Sequence, residues 1–261
     1  MKEFFTKIHN FFKHIFTETK FGKFWIKAHL QYLALAGLLY GVKAGLYFII
    51  AYIPSNPIEF HMAIDDQIPF ISYFYFFYCL YYVVPEILLW ILSFYDKKKM
   101  FTIIAAAMSA NIIACICFLI QQVHMVRPDL SMYEDFSSVT NLDTFFKWAV
   151  NKQYHADATA LNCFPSLHAS MGMAVVVIGI PFFKKDGHFP LGLRIFSIIF
   201  GFGVVMSTFF IKQHYFIDAV AGALLLLAMY FIWKFLFDYL IHKKELKKSE
   251  QSEPVSEVES K

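Results

Sequence analysis

The chain's 261 residues are 58% hydrophobic and 20% aromatic, with only 16% charged and a mean hydropathy of +0.51. A soluble domain carries roughly a quarter charged residues, and the apolar residues here collect in blocks about 20 long, the length of a membrane-crossing helix. That excludes an ordinary soluble domain, and the net charge of +3 gives no basic surface for nucleic acid, because most of the lysines sit at the ends of the apolar blocks, where juxtamembrane anchoring accounts for them.

Residues 2–16 place Phe4, Phe5, Ile8, Phe11, Phe12, Ile15 and Phe16 at steps of three and four, with Lys7, Lys13 and His14 between them. This predicts an amphipathic helix lying on the membrane surface, within an interfacial segment 1–27. Six spanning helices are predicted next, at 29–52, 70–94, 101–120, 168–183, 195–211 and 215–241. Lysines before the first, after the second, between the fourth and fifth and after the sixth put those segments and both termini in the cytoplasm. The opposite face receives residues 53–69, the long connection 121–165 and the joint around Lys212–His214. Residues 243–261 read as a polar tail, disordered over its acidic end. The expected architecture is all-α, a six-helix membrane bundle over 28–242. The N-terminus lacks the short apolar run and small residues of a cleaved signal peptide. Cys79, Cys115, Cys117 and Cys163 follow no metal or disulfide spacing and read as core.

Three short stretches carry polar residues that a lipid-embedded chain does not place at membrane depth without reason. They are VRP at 126–128, CFPSLHAS at 163–170 and STFFIKQHYFID at 207–218, all on the outer face by the topology above. His214 and Asp218 are four apart, so on a helix they share a face and the carboxylate can accept from an imidazole N–H. The other ring nitrogen is then left basic and oriented, as a nucleophile or base requires. Pro165 and Ser166 read as a helix start with Ser166 at the cap, which turns free N–H groups and a hydroxyl toward an arriving anion. His168 follows within the first turn. Arg127 is one of two arginines, and its planar fork suits phosphate oxygens.

PSLH followed by HYFID, with RP upstream, resembles the type 2 phosphatidic acid phosphatase superfamily, whose motifs run KxxxxxxRP, PSxH and SRxxxxxHxxxD. The resemblance implies a six-span core and phosphoryl chemistry through a phosphohistidine. It makes His214 the nucleophile, Asp218 its orienting carboxylate, His168 the general acid, and Arg127 and Ser166 phosphate ligands, with Lys212 as a further cation. No metal and no cofactor is expected, since the outer face lacks a ligand cluster. The expected partners are a membrane lipid substrate and the bilayer itself; the oligomeric state is open.

Two positions depart from the motifs. The lysine seven before Arg127 is Ile120, and the arginine after Ser207 is Thr208. A monoester approaches two negative charges and a diester carries one, so the pattern resembles the branch containing inositol phosphorylceramide synthases, which move a phosphorylated head group between lipids. The expected activity is cleavage or head-group transfer of a phospholipid at the outer leaflet, in the plasma membrane. The alternatives are a lipid phosphate or polyprenyl pyrophosphate monoester phosphatase and, in another class, a non-catalytic lipid-binding or transport protein on the same fold. Lys43 in the first span reads as a snorkelling ammonium or a substitute cation. Glu86 reads as a partner for backbone freed by Pro85, and His155 and Asp157 as possible acceptor-site groups.

Overall fold

A computed structural model describes residues 55–181 and 189–252, with scattered positions between 37 and 53. The surface helix expected at 2–16, Lys43, most of the first expected span and residues 253–261 lie outside the described residues. Met1–Ile53 and Pro54–Lys261 are separate compact units. In the first, the described positions 45–47 and 49–51 are helical.

Among the described residues of the second unit the regular elements are all helical, joined by irregular stretches such as 55–62 and 121–130, with one isolated parallel bridge, Ile58 to Val123, and no sheet. Its helices are α1 (Ala63–Gln67), α2 (Tyr75–Leu80), α3 (Val84–Tyr95), α4 (Lys97–Ile120), α5 (Leu142–Ala156), α6 (Leu167–Gly179), α7 (Leu191–Phe210) and α8 (Phe216–Ser252). Asp96 starts α4 by accepting from Lys99 N at 2.8 Å, and Asn141 starts α5 by accepting from Thr144 N at 3.0 Å, both by side-chain capping.

The span expected at 70–94 is broken. α2 stops at Leu80, the chain turns by 45°, and α3 begins at Val84. Pro85 stands in the first turn of α3, where its missing N–H would have had no helical partner in any case. Glu86 shares that turn, a carboxylate at the positive end of a helix. Pro85 therefore opens a helix and does not kink one.

α4, α7 and α8 as far as Lys247 are long and apolar enough to cross a membrane, and α2 with α3 makes a fourth crossing if the bent pair is one span. α6 has 13 residues, about 20 Å at the helical rise, against a hydrocarbon core of about 30 Å. Outward-facing side chains such as Ile112, Ile116, Ile199, Phe202, Leu224 and Phe235 are exposed, as a lipid-facing surface requires. The protein is an integral membrane protein. α8 is described as far as Ser252, ten residues into the expected tail.

α6 is the centre, packed against α3, α4, α7 and α8. It meets α7 at paired glycines: a Cβ on Gly201 would lie 2.5 Å from the Gly172 carbonyl oxygen, so only hydrogen allows this approach. Its last carbonyls are held by cations. Lys99, buried, donates to Ile178 O at 3.2 Å and Ile180 O at 2.8 Å, and Arg194 Nε donates to Gly179 O at 3.3 Å. Both complement the negative end of the helix. Trp233 on α8 donates to Ser109 on α4 at 2.8 Å.

Candidate active site

The PSLH turn is built to start α6. The Phe164–Pro165 bond is cis, and Ser166, fully buried, accepts from Ala169 N at 3.2 Å as the cap. Ser166 N donates to the Asp218 carbonyl at 3.0 Å. That contact joins the second motif to the third.

The third motif is a turn closed on one acceptor. Gln213 N and His214 N donate to Thr208 O at 2.9 and 3.0 Å, with Lys212 in the left-handed region at φ 52°. α8 then starts under two carboxylates: Tyr215 N donates to Asp218 Oδ2 at 2.9 Å and Phe216 N to Asp65 Oδ1 at 2.8 Å. Non-glycine left-handed residues also occur at Ala160 and Asn162, so left-handed backbone comes just before both Cys163 and His214, a pattern found at functional sites.

His214 is 6% exposed. Its Nδ1 lies 3.0 Å from the Cys163 carbonyl oxygen, which can only accept, so Nδ1 carries the proton and Nε2 the lone pair. Nε2 faces His168 Nδ1 at 3.5 Å. The Asp218 carboxylate expected to orient the ring is 3.8 Å from Nδ1: the short contact goes to the carbonyl, and the carboxylate stands just behind it. Asp218 is fully buried, and its Oδ1 has no hydrogen-bond partner among the described residues.

His168 is wrapped in aromatics. Its ring stacks on Tyr78 at 4.6 Å and 24°, and lies 4.7 Å from Tyr81. Both tyrosines are buried and come from α2 and the break that follows it. The sequence reading missed them; the only signal was the aromatic density of YFYFFYCLYY.

Arg127 is tied through both terminal nitrogens, while its buried Nε has no hydrogen-bond partner among the described residues. Nη2 donates to Asp157 Oδ2 and to Gln213 Oε1, each at 2.6 Å. Nη1 donates to the Asp157 carbonyl at 2.5 Å and the Tyr154 carbonyl at 3.3 Å, and the guanidinium lies 4.8 Å above the Tyr154 ring. Tyr154 donates its hydroxyl to Ile211 O at 2.6 Å, which fastens α5 to the His214 turn. Burial raises the Tyr154 phenol, opposed by Arg127 beside it. The long connection is thus packed down, with Leu130, Val150 and Tyr154 against Tyr78 and Ile211.

Lys212 points elsewhere. Its ammonium donates to Asp65 O at 2.9 Å and Ile68 O at 2.6 Å; burial lowers its pKa, countered by Asp65 and Asp66. It lines a cavity of about 490 Å³ with Glu59, His61, Asp66, Arg127 and Tyr215, a space that does not include His168 or His214. The structure therefore brings His168, His214, Asp218 and Ser166 together, sets Arg127 beside Gln213 at their edge, and turns the Lys212 ammonium to the Asp65 and Ile68 carbonyls, in a cavity that Arg127 also lines.

One metal-capable group occurs among the described residues: Cys163, His214 and Asp218, with donor atoms within 4.8 Å of one another. Burial first, then the charges of Asp218 and Asp157, push the Cys163 thiol well up, with Arg127 opposing. Within this group His214 Nδ1 is turned to the Cys163 carbonyl oxygen at 3.0 Å.

No curated protein and no solved structure matches the chain. The family model for the PAP2 superfamily matches residues 56–232, a stretch that contains all three motifs and both histidines. The chain belongs to the PAP2 superfamily of phosphatase-type membrane proteins.

Proposed function

We propose that the protein moves a phosphorylated head group between membrane lipids through a phosphohistidine on His214. One observation carries the reading: His214 is held by its Nδ1 on the Cys163 carbonyl at 3.0 Å, with Nε2 turned to His168. Nε2 attacks phosphorus, and the bond from phosphorus to the leaving oxygen breaks. His168 supplies the proton that oxygen takes up. An acceptor hydroxyl then attacks the phosphohistidine, gives its proton back to His168 and frees Nε2.

Asp218, buried 3.8 Å from Nδ1, offsets the positive charge that develops on the His214 ring. The Ser166 hydroxyl and the N–H groups opening α6 hold phosphoryl oxygens with Arg127. Lys212 enters differently: with two carbonyl acceptors already, its part is to hold Asp65–Ile68 beside the site. The lysine distribution supports the extracytoplasmic face. The diester preference rests on Ile120 and Thr208, which remove two cations from the motif.

The test uses the full chain in detergent, given phosphatidic acid or phosphatidylethanolamine, with and without diacylglycerol bearing a different acyl label. Free phosphate and newly labelled head-group lipid are both followed, with His214→Ala as blank. A His214-dependent new lipid is expected. Faster phosphate release from phosphatidic acid than any transfer makes the protein a monoester phosphatase, and no His214-dependent chemistry at all leaves a lipid binder.

A further inference from the structure

The cation that remains at the site is already matched by an anion. Arg127 and Asp157 form an ion pair at 2.6 Å, with side chains 10% and 22% exposed, so solvent screens it little. Asp157 reaches the guanidinium twice, through its carboxylate on Nη2 and its own carbonyl on Nη1. Gln213, next to His214, holds the same Nη2 from the other side at 2.6 Å. Thr208, standing where the motif has arginine, is buried and gives its hydroxyl to Val205 O at 2.7 Å. Lys212 is bound to carbonyls of the Asp65–Ile68 segment. A phosphoryl group drawn to Arg127 thus meets a cation whose single formal charge is already matched by a carboxylate. Any phosphate oxygen within reach of Nη2 is also near Asp157 Oδ2, and each added negative charge on the phosphate is repelled by it.

We propose that Asp157 is the specificity-determining residue of the site: its carboxylate neutralises Arg127, so the pocket accepts monoanionic phosphodiesters and rejects dianionic monoesters. This deepens the head-group transfer reading and rests on it. Asp157 owes its position to the end of α5, where its N–H closes on Gln153 O at 3.1 Å; the long connection between the first and second motifs therefore supplies selectivity, through one carboxylate.

The test compares wild type, Asp157→Asn and Asp157→Glu. Asparagine keeps an oxygen acceptor for Nη2 and the backbone contact but removes the charge; glutamate keeps the charge. The ratio of kcat/KM for phosphatidic acid to that for phosphatidylethanolamine is expected to rise at least about tenfold in Asp157→Asn, about one charge-assisted contact, and to stay near wild type in Asp157→Glu. A second readout needs no turnover: calorimetric binding at pH 8 of inorganic phosphate, a dianion there, against dimethyl phosphate, a monoanion. Asp157→Asn is expected to gain affinity for the first alone. An unchanged ratio, or no selective gain in phosphate binding, overturns the proposal and leaves Asp157 a tether for α5. Loss of catalysis in wild type would sink the transfer reading separately, while the two anions would still decide the charge selection.

Discussion

A Cβ on Gly222 would stand 2.1 Å from the carbonyl oxygen of Ser166. The obstacle is backbone, held by Ser170 N at 3.0 Å, so it cannot swing aside. Gly222→Ala is expected to push α8 off the PSLH turn, costing about 1–3 kcal/mol and most of the activity. Gly192 has nothing within 4 Å of its Cβ direction, and Gly192→Ala in α7 is expected to leave activity intact and raise stability by up to about 1 kcal/mol. Melting temperatures in detergent, paired with turnover, separate the two.

Asp218 has two jobs that a pair of substitutions can part. Its Oδ2 accepts from Tyr215 N at 2.9 Å at the head of α8, and the same carboxylate backs His214. Asp218→Asn retains an acceptor for the cap and is expected to fold normally with a large drop in kcat. Asp218→Ala also loses the cap, worth about 1 kcal/mol. Equal melting points for the two variants would contradict the capping role.

How far the sequence carried is seen in particular residues. Ser166 as helix cap, His214 and Asp218 at the head of the last helix, and the C-terminal ends of α4 and α7 follow from local rules: capping chemistry, four-residue spacing, an unbroken apolar run; both helices begin four residues earlier than the apolar runs at 101 and 195 suggest. The Cys163 carbonyl on His214, the Tyr78 and Tyr81 faces on His168, and Asp157 on Arg127 were not legible. Each joins residues 30 or more apart, and a carbonyl carries no residue signature at all. Lys99 illustrates the same limit. In sequence it is one of three juxtamembrane lysines; in the fold it is buried under α6.

Lys99→Met is therefore expected to destabilise the protein by about 1–3 kcal/mol, since the Ile178 and Ile180 carbonyls lose their shared donor. Lys97→Met, on an exposed neighbour, serves as the comparison and is expected to change stability by less than about 0.5 kcal/mol. Chemical denaturation in mixed micelles reads both.

Docking of α5 has a pH dependence of definite sign. Asp143 accepts from Lys147 and from Ser72, each at 2.7 Å, and these bonds, Lys147 first, hold its carboxyl below the usual range. A depressed carboxylate stabilises the fold above its unfolded pKa of about 3.9 and loses that contribution as pH falls through the folded value. Hydrogen exchange in α5 is expected to quicken at and below about pH 4, by an amount limited to about 1 kcal/mol because the pair is solvent-facing. In Asp143→Asn the same amides are expected to exchange faster at neutral pH as well, with the acid-induced step gone.

The aromatic setting of His168 bears on what a phosphate meets on arrival. Histidines in catalytic sites are commonly steadied by a carboxylate, which adds a negative charge to the neighbourhood. Ring faces meet the His168 imidazole as well, with Tyr78 stacked at 4.6 Å and Tyr81 at 4.7 Å. Phenol rings carry no formal charge at neutral pH, yet their negative faces attract a protonated imidazole. The two rings that fix the imidazole thus add no formal charge of their own at a place where an anionic lipid has to come.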